Sequence, residues 1–124
     1  AALGAISGYH YSAAHDSAIN KTYVQAFKKA NPGMRPNFMA VGGWDGMDVL
    51  YRALAKTEGK GTGPQLVEAA KGLSFESPRG PISIDPQTRE IVQNVYMRKV
   101  ERQADGELYN VEFATIPNAK DPSN

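Results

Sequence analysis

The stretch Phe38-Met39-Ala40-Val41-Gly42-Gly43-Trp44-Asp45-Gly46-Met47 governs the reading of this chain. Four apolar residues halted by two glycines read as a short buried strand and the turn that ends it. Met47, Leu50, Tyr51 and Leu54 then fall at i, i+3, i+4 and i+7, which predicts a helix over 44–57 with one apolar stripe. Strand, Gly-Gly turn and helix make half of a βαβ unit. Glycines at a strand's end let a ligand approach the backbone, and the free N–H groups of a helix's first turn can hold a carboxylate. In parallel α/β sheets the crevice beyond the strand ends is the usual ligand site. Trp44, the only tryptophan, stands there. It either walls a ligand or covers the end of a core, while Asp45 either joins that site or caps the helix.

Upstream, residues 3–9 (Leu-Gly-Ala-Ile-Ser-Gly-Tyr) form a short apolar stretch that reads as a buried strand ending at the polar run His10-Tyr11-Ser12. Tyr9, His10 and Tyr11 put three amphipathic rings in succession, to line a pocket or to fill a domain edge. Asp16 or Ser17 then caps a helix in which Ile19, Tyr23, Ala26, Phe27 and Ala30 recur at helical spacing, with Asn31-Pro32-Gly33 as the stop. His10, His15, Asp16 and Ser12 are the one cluster of ligand-type side chains, but loop spacing fixes no geometry and a third metal ligand is missing. No metal, cofactor or catalytic residue is expected from it.

Downstream of the opening stretch, Gly59, Gly61 and Gly63 follow a helix and lack the Gly-Lys-Ser/Thr ending of a phosphate loop, so they read as a linker. Pro64, Leu66, Val67, Ala70 and Leu73 mark a third helix. Pro78, Gly80, Pro81 and Pro86 forbid a helix and favour an extended crossing segment. Val95 and Met97 alternate with Tyr96 and Arg98, and Tyr109, Val111 and Phe113 with Asn110 and Glu112; Ala104-Asp105-Gly106 between them signals an antiparallel hairpin. The whole chain of 124 residues is 41% hydrophobic and 22% charged, one globular domain's worth. With no cysteine, a disulfide framework and thiolate metal sites are excluded. A net charge of +1 gives no footprint for nucleic acid or an anionic membrane, and no apolar run approaches the ~20 residues of a membrane helix. The start, Ala1-Ala2-Leu3-Gly4-Ala5-Ile6, has neither an initiator Met nor a basic leader region. It reads as the middle of a longer chain or as the start left by a signal cleaved just upstream.

The order of these motifs resembles one family. A strand ending in Gly-Tyr, an aromatic loop, Tyr-Val-Gln-Ala-Phe-Lys-Lys over 23–29, Pro-Asn-Phe, Gly-Gly-Trp-Asp-Gly-Met over 42–47, Pro81 to Ile91 and Gln93 to Asn110 are together similar to the C-terminal third of periplasmic substrate-binding proteins of the leucine/isoleucine/valine-binding type. The resemblance implies a partial periplasmic-binding-protein-like type I α/β fold, with three helices, short buried strands and a C-terminal antiparallel hairpin. It implies a crossing strand and hinge loop over 1–15, a helical part of a first lobe over 16–75, a Pro-rich crossing over 76–92, a second-lobe hairpin over 93–116 and a polar tail over 117–124. By the same resemblance, Tyr9, His10, Tyr11 and Ser12 lie at hinge and cleft, and Trp44 and Asp45 at the helix start that contacts the ligand. The implied protein is no enzyme. It is a periplasmic or extracellular solute-binding component, taking a branched-chain or aromatic amino acid or a similar small carboxylate and docking on an ABC-type permease. The family's charged partners for an amino acid match nothing in this sequence. A ligand-sensing regulator of the same fold and an independent oligomeric α/β domain are the alternatives, and exposed apolar helix stripes predict self-association.

Overall fold

The computed structural model describes residues 2–122. Strand β1 (Ile6–Tyr9) is followed by helices α1 (Ala18–Ala30), α2 (Phe38–Lys56) and α3 (Gly63–Ala70), then by strands β2 (Ser74–Ser77), β3 (Gly80–Ile84), β4 (Ile91–Arg102) and β5 (Leu108–Ala119). The α/β class, the three helices and the closing hairpin are as expected.

Helix α1 begins where a side chain can take over an orphan N–H. Ser17 sits in extended backbone and its hydroxyl accepts from the Asn20 N–H at 3.1 Å. Lys28 and Lys29 occupy the last turn, where the helix dipole favours cations. Its inward face carries Asn20 and Tyr23, and the small core forms from Tyr11, Tyr23 and Val41 with Val24 and Phe27 against them.

The opening stretch corrects the sequence reading. Phe38 to Val41 is no strand but the first turn of α2, which runs unbroken through Gly42 and Gly43 to Lys56. A four-residue apolar run has no periodicity of its own, so the cap decides: the Asn37 side chain accepts from the N–H groups of Met39 and Ala40 at 3.1 and 3.0 Å. Mid-helix glycine costs about 1 kcal/mol each relative to alanine. That cost is offset because Val41, Asp45 and Ala53 form the buried face, Val41 at 0% exposure. No half βαβ unit forms here, and Trp44 and Asp45 lie two turns into the helix instead of at its start.

The sheet is antiparallel at every pairing. Strand β4 is its spine: β5 pairs along it from Gln93 to Arg102, β3 pairs with Ile91–Gln93, and β1 pairs with Tyr96–Lys99. Strand β1 is short, as expected, but only partly buried, with Ile6 63% exposed. The Pro-rich segment is extended yet doubles back, since β2 and β3 form a hairpin closed by Pro78 and Arg79. Pro117 to Ala119, read as tail, continue β5, and Leu73, read as helical, follows the end of α3 at Ala70. Tyr96 on β4 is buried, at 3% exposure. No helix among the described residues is long and apolar enough to cross a membrane.

Candidate functional site

Where the loop after β1, the start of α2 and the β4–β5 hairpin meet, they border an open cavity of about 560 Å³. Tyr9, Tyr11, Ser12, Arg35, Asn37, Phe38, Arg98, Tyr109 and Asn110 line it. Each side chain arrives there for a local reason. Tyr9 ends β1 and stacks on His10 at 4.7 Å between centroids, and the Phe38 ring meets it edge-on at 5.1 Å and 72°. Phe38 is held in place by the Asn37 cap, so the residue that nucleates α2 also aims its first ring.

Ser12 and Tyr11 fasten the loop. The Ser12 hydroxyl donates to the Asn110 carbonyl at 2.5 Å and accepts from the Ala14 N–H at 3.1 Å, which ties the loop to β5. The Tyr11 hydroxyl donates to Asn20 Oδ1 at 3.0 Å, and burial pushes its ionisation above the ordinary phenol range. At 2% exposure Tyr11 is chiefly a core residue that shows the cavity its edge. Arg98 reaches up from β4, donating from Nη1 to the Tyr11 carbonyl at 2.6 Å and from Nη2 to Ser7 Oγ at 3.0 Å, with the Tyr9 ring 5.4 Å away. Its register partner Glu112 also pairs with His15 Nδ1 at 2.7 Å.

His10 is held neutral. Burial, then the charges of Arg79 and Arg98, lower its pKa from 6.5 to about 4. Between those values the unfolded chain binds a proton that the folded chain refuses, so stability falls as pH drops through that window. An H10Q variant is expected to show a shallower fall in unfolding midpoint from pH 6.5 to 4 than the parent; parallel curves would contradict the assignment.

The other two sequence candidates lie elsewhere. Trp44 is 46% exposed and packs at 5.0 Å from Tyr23. With Ile19, Phe27, Met47 and Tyr51 it lines a separate apolar groove of about 600 Å³. Asp45 caps nothing. It is buried, accepting from Ser77 Oγ at 2.7 Å and from Arg79 Nε at 2.6 Å. The structure therefore brings Tyr9, Tyr11 and Ser12 together, keeps His10 behind Tyr9, and leaves Trp44 and Asp45 outside the cavity. Arg35, Asn37, Phe38, Arg98, Tyr109 and Asn110 escaped the sequence reading. The Pro36-Asn37 pair, a helix-start signal, was the clue to Phe38.

Comparison with known proteins agrees with this architecture. A family model described as periplasmic binding protein matches residues 1–107. Leu/Ile/Val-binding protein homolog 6 of Brucella abortus is 44% identical over 98% of this chain, and the match covers 31% of that protein. Among solved structures, a solute binding protein of an ABC transporter from Rhodopseudomonas palustris BisB5, in complex with 3,4-dihydroxybenzoic acid, superposes with a TM-score of 0.94 at 59% identity; 98% of this chain and 33% of that one are covered. A second, from Rhodopseudomonas palustris HaA2 in complex with p-hydroxybenzoic acid, has a TM-score of 0.88 at 38% identity over the same shares. The chain thus spans about a third of the length of its relatives.

Proposed function

The chain belongs to the periplasmic binding protein family, and from that premise we propose that the full-length protein carrying it is the solute-binding component of an ABC-type uptake system for small carboxylates. The observation that carries this reading is the cavity at the junction of the β1 loop, α2 and the β4–β5 hairpin, with rings at Tyr9, Phe38 and Tyr109 beside the guanidinium of Arg98. Rings and a cation in one concave site suit an organic anion with an apolar body. The relatives solved with dihydroxy- and hydroxybenzoic acid support the same ligand type.

On this reading the protein performs no chemistry of its own: it captures solute in the periplasm and presents it to a permease. Residues 1–15 and 76–92 serve as crossings, 16–75 belong to one lobe and 93–116 to the other. The cavity then lies where elements of both lobes meet, which is where closure can bury a ligand.

The test is thermal unfolding of the full-length protein with benzoate, hydroxybenzoates, leucine and phenylalanine. A ligand at 100 times its Kd stabilises a folded protein by about 2.7 kcal/mol, enough to shift the midpoint measurably. At least one carboxylate is expected to do so, and F38A is expected to abolish the shift through loss of a ring wall. A flat response across the panel would refute the reading.

A further inference from the structure

We propose that the apolar groove between α1 and α2 is a docking surface inside the full-length protein, and that the segment seated on it comes from the part of that protein's own chain lying outside these 124 residues. The groove is built from two matched stripes. Helix α1 contributes Ile19, Tyr23 and Phe27 at i, i+4 and i+8, and α2 contributes Trp44, Met47 and Tyr51 at i, i+3 and i+7. Each spacing keeps its side chains on one face of the helix, and the two faces open on the same groove.

This groove is the open end of the core. Tyr23 is 3% exposed and belongs to both: its ring meets Tyr11 at 6.3 Å on one side and Trp44 at 5.0 Å on the other. Beyond Trp44 the packing stops. Trp44, Met47 and Tyr51 are 46%, 46% and 62% exposed, an apolar face of the kind that soluble proteins seldom leave to water. Asp48 at the groove's edge accepts from Arg52 Nε at 2.9 Å, so the charge it brings is answered within α2. The surface left to cover is apolar, and so is the segment that fits it.

The length of the protein decides between occupants. In the solved relative at 59% identity, the same fold makes up 33% of the chain, so these helices coexist there with a further two-thirds of polypeptide. A segment joined covalently to the groove meets it at high effective concentration. A second copy or a free molecule must first give up its translational and rotational freedom. The tethered segment therefore takes the groove ahead of either.

Cysteine labelling of the full-length protein tests this. Met47→Cys and Tyr51→Cys are expected to react with a maleimide at least about tenfold more slowly than Lys29→Cys in the exposed last turn of α1, because reaction must wait for the covering segment to open. Mass spectrometry of the labelled peptides reads each rate at its own position. If one of the two groove variants fails to fold, the other decides. A smaller difference in rate overturns the proposal, since the groove is then open to solvent. Protection that disappears on dilution makes a second copy the occupant, and protection that appears only with added benzoate makes it the solute; either result also overturns the proposal. Solute binding beside Tyr9 is read separately by the thermal-unfolding panel, so it can stand or fall independently of the groove.

Discussion

Replacing Asp45 with alanine is expected to destabilise the protein by about 3–5 kcal/mol, the range for removing one member of a buried ion pair. The side chains of Asp45 and Arg79 are only 4% and 8% exposed. Each oxygen of the carboxylate is used, Oδ1 by the Ser77 hydroxyl and Oδ2 by Arg79 Nε, and Arg79 Nη1 donates onward to Gln93 Oε1 at 2.8 Å. Alanine would leave the guanidinium buried with one neutral acceptor, and the Ser77 hydroxyl without its partner. The pair also joins α2 to the β2–β3 hairpin and, through Gln93, to β4, so three elements loosen together. Denaturant unfolding of the full-length protein measures the effect. A D45L/R79M double variant, which removes both charges and keeps much of the volume, is expected to recover most of the loss, because the attraction of a buried pair is largely offset by its desolvation. A D45A loss below about 1 kcal/mol, the level of a surface pair, would show that water reaches the site.

That pair illustrates what the sequence could and could not disclose. Local signals were legible: the Ser17 cap and the 3.6-residue recurrence through Tyr23 and Phe27 gave α1, and Asp105-Gly106 between two alternating runs gave the β4–β5 hairpin. Asp45 was visible only as an acid beside a tryptophan. Its role depends on Arg79, 34 residues away, and no spacing rule links a helix position to a hairpin turn over that distance. The strand reading of Phe38–Val41 fails for a different reason: two glycines signal a stop, but the Asn37 cap and the burial of Val41 and Asp45 one helical turn apart outweigh them.

The candidate site divides along the same line. Tyr9 to Ser12 were found because four polar and aromatic residues follow a strand, a pattern confined to one loop. Arg35, Arg98 and Tyr109 lie on a loop and two strands that come together only through tertiary packing. The alternation of Val95 and Met97 with Tyr96 and Arg98 does not say which side of β4 meets the loop after β1. Its Tyr96–Arg98 side packs under the β1 loop, where Tyr96 touches the His15 ring at 5.1 Å and Arg98 holds the Tyr11 carbonyl.

The same packing makes Gly80 the position least able to accept a side chain. Its φ of +101° lies in a region that glycine alone enters freely, and a Cβ built there collides with the hydroxyl of Tyr96. That hydroxyl cannot simply withdraw. It donates to the Arg79 carbonyl at 2.7 Å, Tyr96 is 3% exposed, and the His15 ring lies against it. Gly80→Ala thus combines backbone strain of about 1–3 kcal/mol with an overpacking cost of similar size. An expected loss of about 2–6 kcal/mol follows. Y96F tells the two sources apart. By itself it leaves the Arg79 carbonyl without its donor, at a loss of about 1–3 kcal/mol. In the G80A background it also removes the colliding oxygen, so the double variant is expected to lose less than the sum of the two single variants by about 1 kcal/mol or more. Strict additivity would mean that strain alone sets the G80A loss. Because Arg79 precedes this glycine and carries the ion pair to Asp45, displacement of the turn should also disturb that pair. G80A and D45A are accordingly expected to be less than additive as well, since both release the link between α2 and the β2–β3 hairpin.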